Sequence, residues 1–316
     1  MKRYPNAGAG PGPIVFAAPW MLGALLLYLV PMAMLAWLSL MHWDGLSWSS
    51  VSWAGSKNFQ ALAGDAWFHK ALINSAVYTA MNVPVQLAAA LVLALLVHRS
   101  RRRAAWATLY YLPHVLGGVA TILIWWWLLN PQVGPINRSI RALWEWLDGP
   151  VRLLGGPGTA AWGAPPWLYS PDWAKPSLVL MNVWQAGGGM LIILAALLRS
   201  GRLLHDAASI DGAGPVRRFI HVTLPQVSPA ILFNLVTGAI FSMQEFDQPL
   251  LLSNFQQQDS LLFFSTYLFQ SAFERNELGY AAAQAWILLA LLLAFIGLCI
   301  MVSKRWVHYD MEEGVT

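Results

Sequence analysis

Residues 14–41, 71–97 and 278–303 of this chain contain no charged side chain. Each stretch exceeds the ~20 apolar residues that a helix needs to cross the hydrocarbon of a bilayer. A helix in a soluble core has no need of such length. Charged residues are 11% of the chain and hydrophobic residues 57%, where soluble domains carry about 25% charged residues. The chain is therefore expected to be an all-α integral membrane protein. Shorter apolar stretches bring the expected spans to six, at residues 14–40, 71–97, 106–128, 176–198, 227–252 and 280–302. Pro19, Pro31, Pro84 and Pro113 fall inside them. Membrane helices tolerate proline where neighbours satisfy the freed carbonyls, so kinked helices in a bundle are expected.

The net charge of +4 does not point to nucleic acid. The basic residues stand in short clusters between apolar stretches, where they report topology. Lys2, Arg3, Arg99, Arg101–Arg103, Arg199, Arg202, Arg217, Arg218, Lys304 and Arg305 would share one side. That side is the cytoplasm by the positive-inside rule, which makes both termini cytoplasmic. The apolar run after Lys2 and Arg3 continues to Leu40, too long for a signal peptide's core of ~7–15 residues, and reads as an uncleaved first span. Cys299 is the one cysteine, which excludes an intrachain disulfide framework. Between the third and fourth spans, Ile136, Ile140, Leu143, Trp144 and Leu147 recur at helical spacing. With Trp146, Trp162, Trp167 and Trp173 they suit a helix lying on the outer membrane surface.

The connector after the fourth span is more specific. It runs His205-Asp206-Ala207-Ala208-Ser209-Ile210-Asp211-Gly212-Ala213-Gly214-Pro215, then Val216-Arg217-Arg218-Phe219-Ile220-His221-Val222-Thr223-Leu224-Pro225. Leu203, Ala207 and Ile210 share one face of a short helix. Asp211-Gly212 is a turn pair in which glycine is free to take positive φ. Pro215 suits the first turn of a second helix with Val216, Phe219 and Ile220 on its apolar face, and Pro225 is expected to end it. Small alanines let another surface approach closely.

This connector resembles the EAA loop of permease subunits in binding-protein-dependent ABC importers. Ala207, Ala208, Asp211, Gly212, Ala213, Phe219, Leu224 and Pro225 match the loop's pattern, Asp206 replaces its glutamate, and Val222 takes an isoleucine place. The wider chain is similar to the carbohydrate-uptake group. Asn58-Phe59, Asp65, Phe68 and Asn74-Ser75 match that group before the second span, and Gly134, Ile136 and Asn137 after the third. Trp184 and Gly188, Phe246-Asp247, and Gly279-Tyr280-Ala281 with Ala283 match further on. The resemblance implies six transmembrane helices with a cytoplasmic coupling helix between spans four and five. It implies a lead at residues 1–13, a permease domain at 14–303 with its coupling loop at 199–226, and a cytoplasmic tail at 304–316. It also implies partners: a second permease, two ATPase subunits docked on the coupling loop, and an extracytoplasmic sugar-binding protein, in a cell inner membrane. Two departures stand out. Ser200-Gly201 replaces the group's I-P, and Ser253-Asn254-Phe255-Gln256-Gln257 lacks the glycines of its T-x-G-G-P.

No lysine lies in a Walker A sequence, and no His or Cys cluster has metal-ligand spacing. No catalytic residue, metal or cofactor is expected, and energy would come from a partner that binds ATP. Polar residues inside spans are costly in lipid and mark candidate function. Here they are His114, Asn182, Gln185, Ser242, Glu245 and Asp247. Asn182 with Gln185, and Ser242 with Glu245, stand three apart on one helical face. Such faces suit a neutral hydroxylated substrate, and equally suit bonding between helices. The reading is a sugar-importing permease subunit. Its rivals are a permease for amino acids or phosphate, and a membrane enzyme acting on lipid-linked sugars.

Overall fold

Prolines shape this chain without stopping its helices. In a computed structural model, which describes residues 13–154, 163–199, 202–253 and 259–308, helices α1 (Pro13–Ala24) and α2 (Val30–Ser39) are joined by a π-helical turn at Leu25–Leu29. The Val30 N–H reaches back to Leu25 O, and Pro31 follows. A proline ring clashes with the carbonyl four residues earlier. Opening one turn from four- to five-residue spacing makes room for it. The expected lead, Ser200-Gly201, the stretch Asn254–Gln257 and the tail beyond His308 lie outside the described residues.

The chain divides into two compact units. One comprises residues 1–65 and 268–291, the other 66–267 and 292–316. In the first unit, a small hairpin follows α2, with β1 (Met41–His42) antiparallel to β2 (Ser52–Trp53). Asp44 closes its turn, accepting from the Leu46 N–H at 3.0 Å and the Ser50 hydroxyl at 2.5 Å. The Ser50 bond leads in holding this carboxyl below its usual range. Helix α3 (Lys57–Gly64) carries Asn58, whose amide donates to Ser39 O at 2.8 Å and Met41 O at 2.9 Å. The opening turn of the final helix meets the same hairpin. A Cβ on Gly279 would overlap the Met41 carbonyl, Leu278 N–H donates to Trp43 O at 3.1 Å, and the Tyr280 hydroxyl donates to Asp65.

The second unit is built on α4 (Ala66–Arg99), which runs straight through Pro84. Helices α5 (Arg103–Val115) and α6 (Val119–Leu128) follow, then α7 (Pro135–Leu153), α8 (Pro171–Trp184) and α9 (Gly187–Arg199). Next come α10 (Arg202–Ile210), α11 (Pro215–Arg218), a second π turn at Phe219–Thr223, α12 (Leu224–Met243) and α13 (Asp247–Leu252). Helices α14 (Phe264–Phe269) and α15 (Leu278–Ser303) complete the order. One core gathers Ala90, Ala94 and Val97 of α4 with Met190, Ile193 and Leu197 of α9 and Val227 of α12. Another gathers Tyr78, Trp125, Leu178, Met181, Leu252 and Phe263. Gly187 lets α9 and α5 approach closely, since a Cβ there would overlap the Tyr110 carbonyl of α5. Asn74 holds the returning chain to α4, donating to Asp259 O at 2.9 Å and Leu262 O at 3.0 Å. Ser75 accepts from the Phe264 N–H at 2.8 Å.

Among the described residues four helical stretches are long and apolar enough to cross a membrane, and six if each bent pair counts as one span. The expected third and fourth spans are those pairs. Helices α5 and α6 meet at 94°, and α8 and α9 at 48°. The sharper break is not at Pro113, which stays inside α5. It comes at Gly118, whose φ of +83° leaves the helical region, and Thr121 secures it by donating to Leu116 O at 2.6 Å. Pro225 does not end the second short helix either. The helical path runs from Pro215 to Leu252, because the π turn ahead of Pro225 lets the Leu224 N–H reach Phe219 O. Helix α7 covers the apolar repeat seen between the third and fourth spans and is longer than that repeat.

Candidate functional site

Two polar residues on α4, Tyr78 and Asn82, stand one turn apart and face the same way, as residues four apart in a helix do. Helix α8 brings Asn182 against them. Its side-chain amide donates to the Tyr78 hydroxyl and, at 3.5 Å, to Asn82 Oδ1. Asn82 Nδ2 donates to Ser242 Oγ at 2.8 Å, which draws in α12. Gln248 of α13 donates through Nε2 to Asn182 Oδ1 at 2.9 Å, and its backbone N–H reaches Glu245 Oε1 at 3.4 Å. Four helices thus share one buried polar seam with Asn182 as its hub. Gln248 is only 7% exposed, and among the described residues its Oε1 has no hydrogen-bond partner. An unpaired acceptor in a buried site is costly, so it marks a place where something else completes the network.

The residues singled out in the sequence divide around this seam. Asn182 and Ser242 are members, and Glu245 adjoins it through Gln248. Gln185 caps α8, with its backbone N–H on Asn182 O at 3.0 Å, and is half-buried outside the seam. Asp247 is exposed at the first residue of α13. His114 is exposed near the end of α5, beside the Tyr111 ring and against Gly188, where a Cβ would come within 2.9 Å of the imidazole. Tyr78, Asn82 and Gln248 were missed. The signal for the first two was present: a tyrosine and an asparagine four apart inside a charge-free stretch.

The second constellation is the connector between α9 and α12. Helix α10 ends in a Schellman cap: Ala213 N–H bonds Ala208 O at 2.9 Å and Gly212 N–H bonds Ser209 O at 3.1 Å. This cap needs a left-handed residue one past the helix, and Gly212 supplies it with φ of +73°. Gly214 then precedes Pro215, which opens α11. Arg218 Nη1 donates to Ser209 Oγ at 2.7 Å, and Ser209 to His205 O at 2.7 Å, tying the two short helices together. Asp206, Ala207 and Asp211 are exposed, while Ala208, Ala213, Phe219, Leu224 and Pro225 are half-buried. Ile210 is 87% exposed and Val216 69%. An apolar pair so fully in the open on a rigid turn is the pattern of a contact surface. Nearby, Ser228 Oγ accepts from the His308 N–H at 3.0 Å, which brings the chain after α15 to the start of α12. Among the described residues no group of three or more His, Cys, Asp or Glu is placed to hold a metal ion.

Residues 61–312 match the family described as the binding-protein-dependent transport system inner membrane component. The chain is 32% identical to the "Probable ABC transporter permease protein YesP" of Bacillus subtilis (strain 168), over 94% of this chain and 92% of that one. It is 27% identical to the lactose transport system permease protein LacF of Rhizobium radiobacter, over 91% of each. In fold it is similar to a chain from the crystal structure of a bacterial ABC transporter involved in the import of the acidic polysaccharide alginate. The TM-score is 0.74 at 21% identity, covering 92% of this chain and 95% of the other.

Proposed function

Because this chain belongs to the family of binding-protein-dependent transport system inner membrane components, we propose that it is the permease subunit of a sugar importer. In this reading it lines one half of a translocation path, and a second permease lines the other. Six spans result when each bent helix pair is one crossing, and the connector from α10 to α11 is the coupling helix. ATPase subunits dock beneath it, and a binding protein delivers the saccharide from outside. The observation that carries this is the connector's geometry. A Schellman turn at Gly212 holds two short helices together and presents Ile210 and Val216 to a partner. The chain thereby receives mechanical work from ATP hydrolysed elsewhere.

The test is transport. The chain is co-expressed with candidate partner permease, ATPase and binding-protein subunits, and the complex is reconstituted in liposomes. The panel offers labelled neutral oligosaccharides, their uronate counterparts, amino acids and phosphate. ATP-dependent uptake of a saccharide is expected. Uptake of only amino acids or phosphate overturns the sugar assignment.

Topology has its own check. In a Cys299→Ser background, single cysteines at Ser100 and Gly149 should react with an impermeant thiol reagent from opposite sides. The cationic connector at Arg99–Arg103 puts Ser100 in the cytoplasm, and Gly149 lies on α7, the expected outer helix. Labelling of both from outside contradicts the six-span arrangement.

A further inference from the structure

We propose that Glu245 makes the path selective against anionic saccharides, so that the transported sugar carries hydroxyl or amino donors and no acidic group. This rests on the reading of the chain as a sugar permease and adds the charge class of its cargo. Asn182 gives its amide hydrogens to Tyr78 and Asn82, and Asn82 gives to Ser242. What the α12–α13 junction leaves over is acceptors. Glu245 is half-buried, and the one hydrogen bond its carboxyl makes among the described residues is the long 3.4 Å contact from the Gln248 N–H to Oε1. Gln248 Oε1, three residues further along the chain, has no donor among the described residues. An acceptor-rich place is completed by ligand O–H or N–H groups.

The cations of the helices that carry the seam, Lys70 and Arg99 of α4 and Lys175 of α8, stand at least seven residues from any seam member on the same helix. No lysine or arginine occurs at residues 71–98, 176–198 or 224–253, which hold every member of the seam. Recognition of a carboxylate, sulfonate or phosphate normally draws on arginine or lysine. Here an acidic sugar would instead meet a carboxyl in surroundings that screen charge poorly. Asp247, two residues on, adds a second acidic side chain of the same sign.

The experiment uses the reconstituted transporter. Uptake of the best-transported neutral oligosaccharide is compared with that of the same oligosaccharide bearing a C6 carboxylate, each rate corrected for its affinity for the binding protein. Wild type is expected to favour the neutral form at least tenfold, about 1.4 kcal/mol. Glu245→Gln should narrow that ratio to under threefold, and Glu245→Asn serves if the first variant does not assemble. An unchanged ratio in an assembled variant overturns the proposal, as does a wild type that prefers the uronate. If wild type moves no saccharide, the sugar reading itself fails, and this inference with it.

Discussion

Gly212→Leu is expected to leave the chain inserted in the membrane and to release its ATPase partners. Two features of the glycine separate insertion from docking. Its φ of +73° lies in the left-handed region, where a side chain costs roughly 1–2 kcal/mol. Among the described residues nothing lies within 4 Å of where a Cβ would stand, so the first atom of a side chain enters open space. The strain is local to the turn between α10 and α11, outside the apolar spans, and the bundle should survive it. The leucine side chain must then project from the turn beside Ile210 and Val216, onto the surface proposed to seat the ATPase. A tenfold loss of docking affinity needs only ~1.4 kcal/mol, which obstruction supplies together with a turn that relaxes out of the docking geometry to shed its strain. Co-purification of the ATPase and substrate-stimulated ATP hydrolysis both measure this. Gly212→Ala carries the strain with little bulk and should lose less than the leucine variant. Wild-type behaviour of both readouts in Gly212→Leu removes this connector as the docking element.

The spans were legible because charge is costly in hydrocarbon, and 71–97 and 278–303 lie within single helices, α4 and α15. Their breaks were not, because a break is a property of backbone angles and neighbours. Proline is the visible signal, yet Pro84 and Pro113 sit inside helices, while the 94° bend falls at Gly118. Pro31 and Pro225 are each accommodated by a π turn that ends two residues earlier. Such a turn depends on how freely the preceding residues can widen, which no residue type announces. The positions matched to the carbohydrate-uptake group turn out to make structural bonds. Asn58 holds the hairpin, Asp65 takes the Tyr280 hydroxyl, and Asn74 and Ser75 hold the chain after Asp259. Asn137 donates to Pro165 O at 3.0 Å and accepts from the Trp167 indole. The resemblance therefore carried the architecture more fully than the path.

The seam was half visible. Polar residues inside spans can be read from the sequence one helix at a time, which found Asn182 and Ser242. Their joining cannot, because the Asn182–Asn82 contact closes over 100 residues of chain and the Asn82–Ser242 contact over 160. Gln185 illustrates the limit. It shares a helical face with Asn182 in the sequence, but α8 ends at Trp184, and the turn there takes Gln185 out of the network.

Asn182→Leu is accordingly expected to lower uptake at least tenfold while leaving the complex assembled. Leucine is close to asparagine in size, so the change removes bonds rather than volume. It deprives Gln248 Nε2 of its acceptor at 2.9 Å, and Tyr78 and Asn82 of their donor. Gln248 would then have neither end of its amide bonded among the described residues, since Oε1 has no partner there. Three interhelical bonds at ~0.6 kcal/mol each set a floor of roughly 2 kcal/mol in a membrane protein. Leaving buried groups unsatisfied costs ~1–3 kcal/mol apiece where they find no new partner. Either figure is enough for a tenfold shift between two arrangements of the helices that meet at the seam. The apolar contacts at Leu178, Met181 and Leu252 remain, which is why assembly should persist. Gln185→Leu, three residues away and outside the network, should change uptake less than threefold. Initial uptake rates, normalised to the amount of assembled complex in the vesicles, separate the two variants. Equal, near-wild-type rates in both would reduce the seam to packing between helices and move the path elsewhere in the bundle.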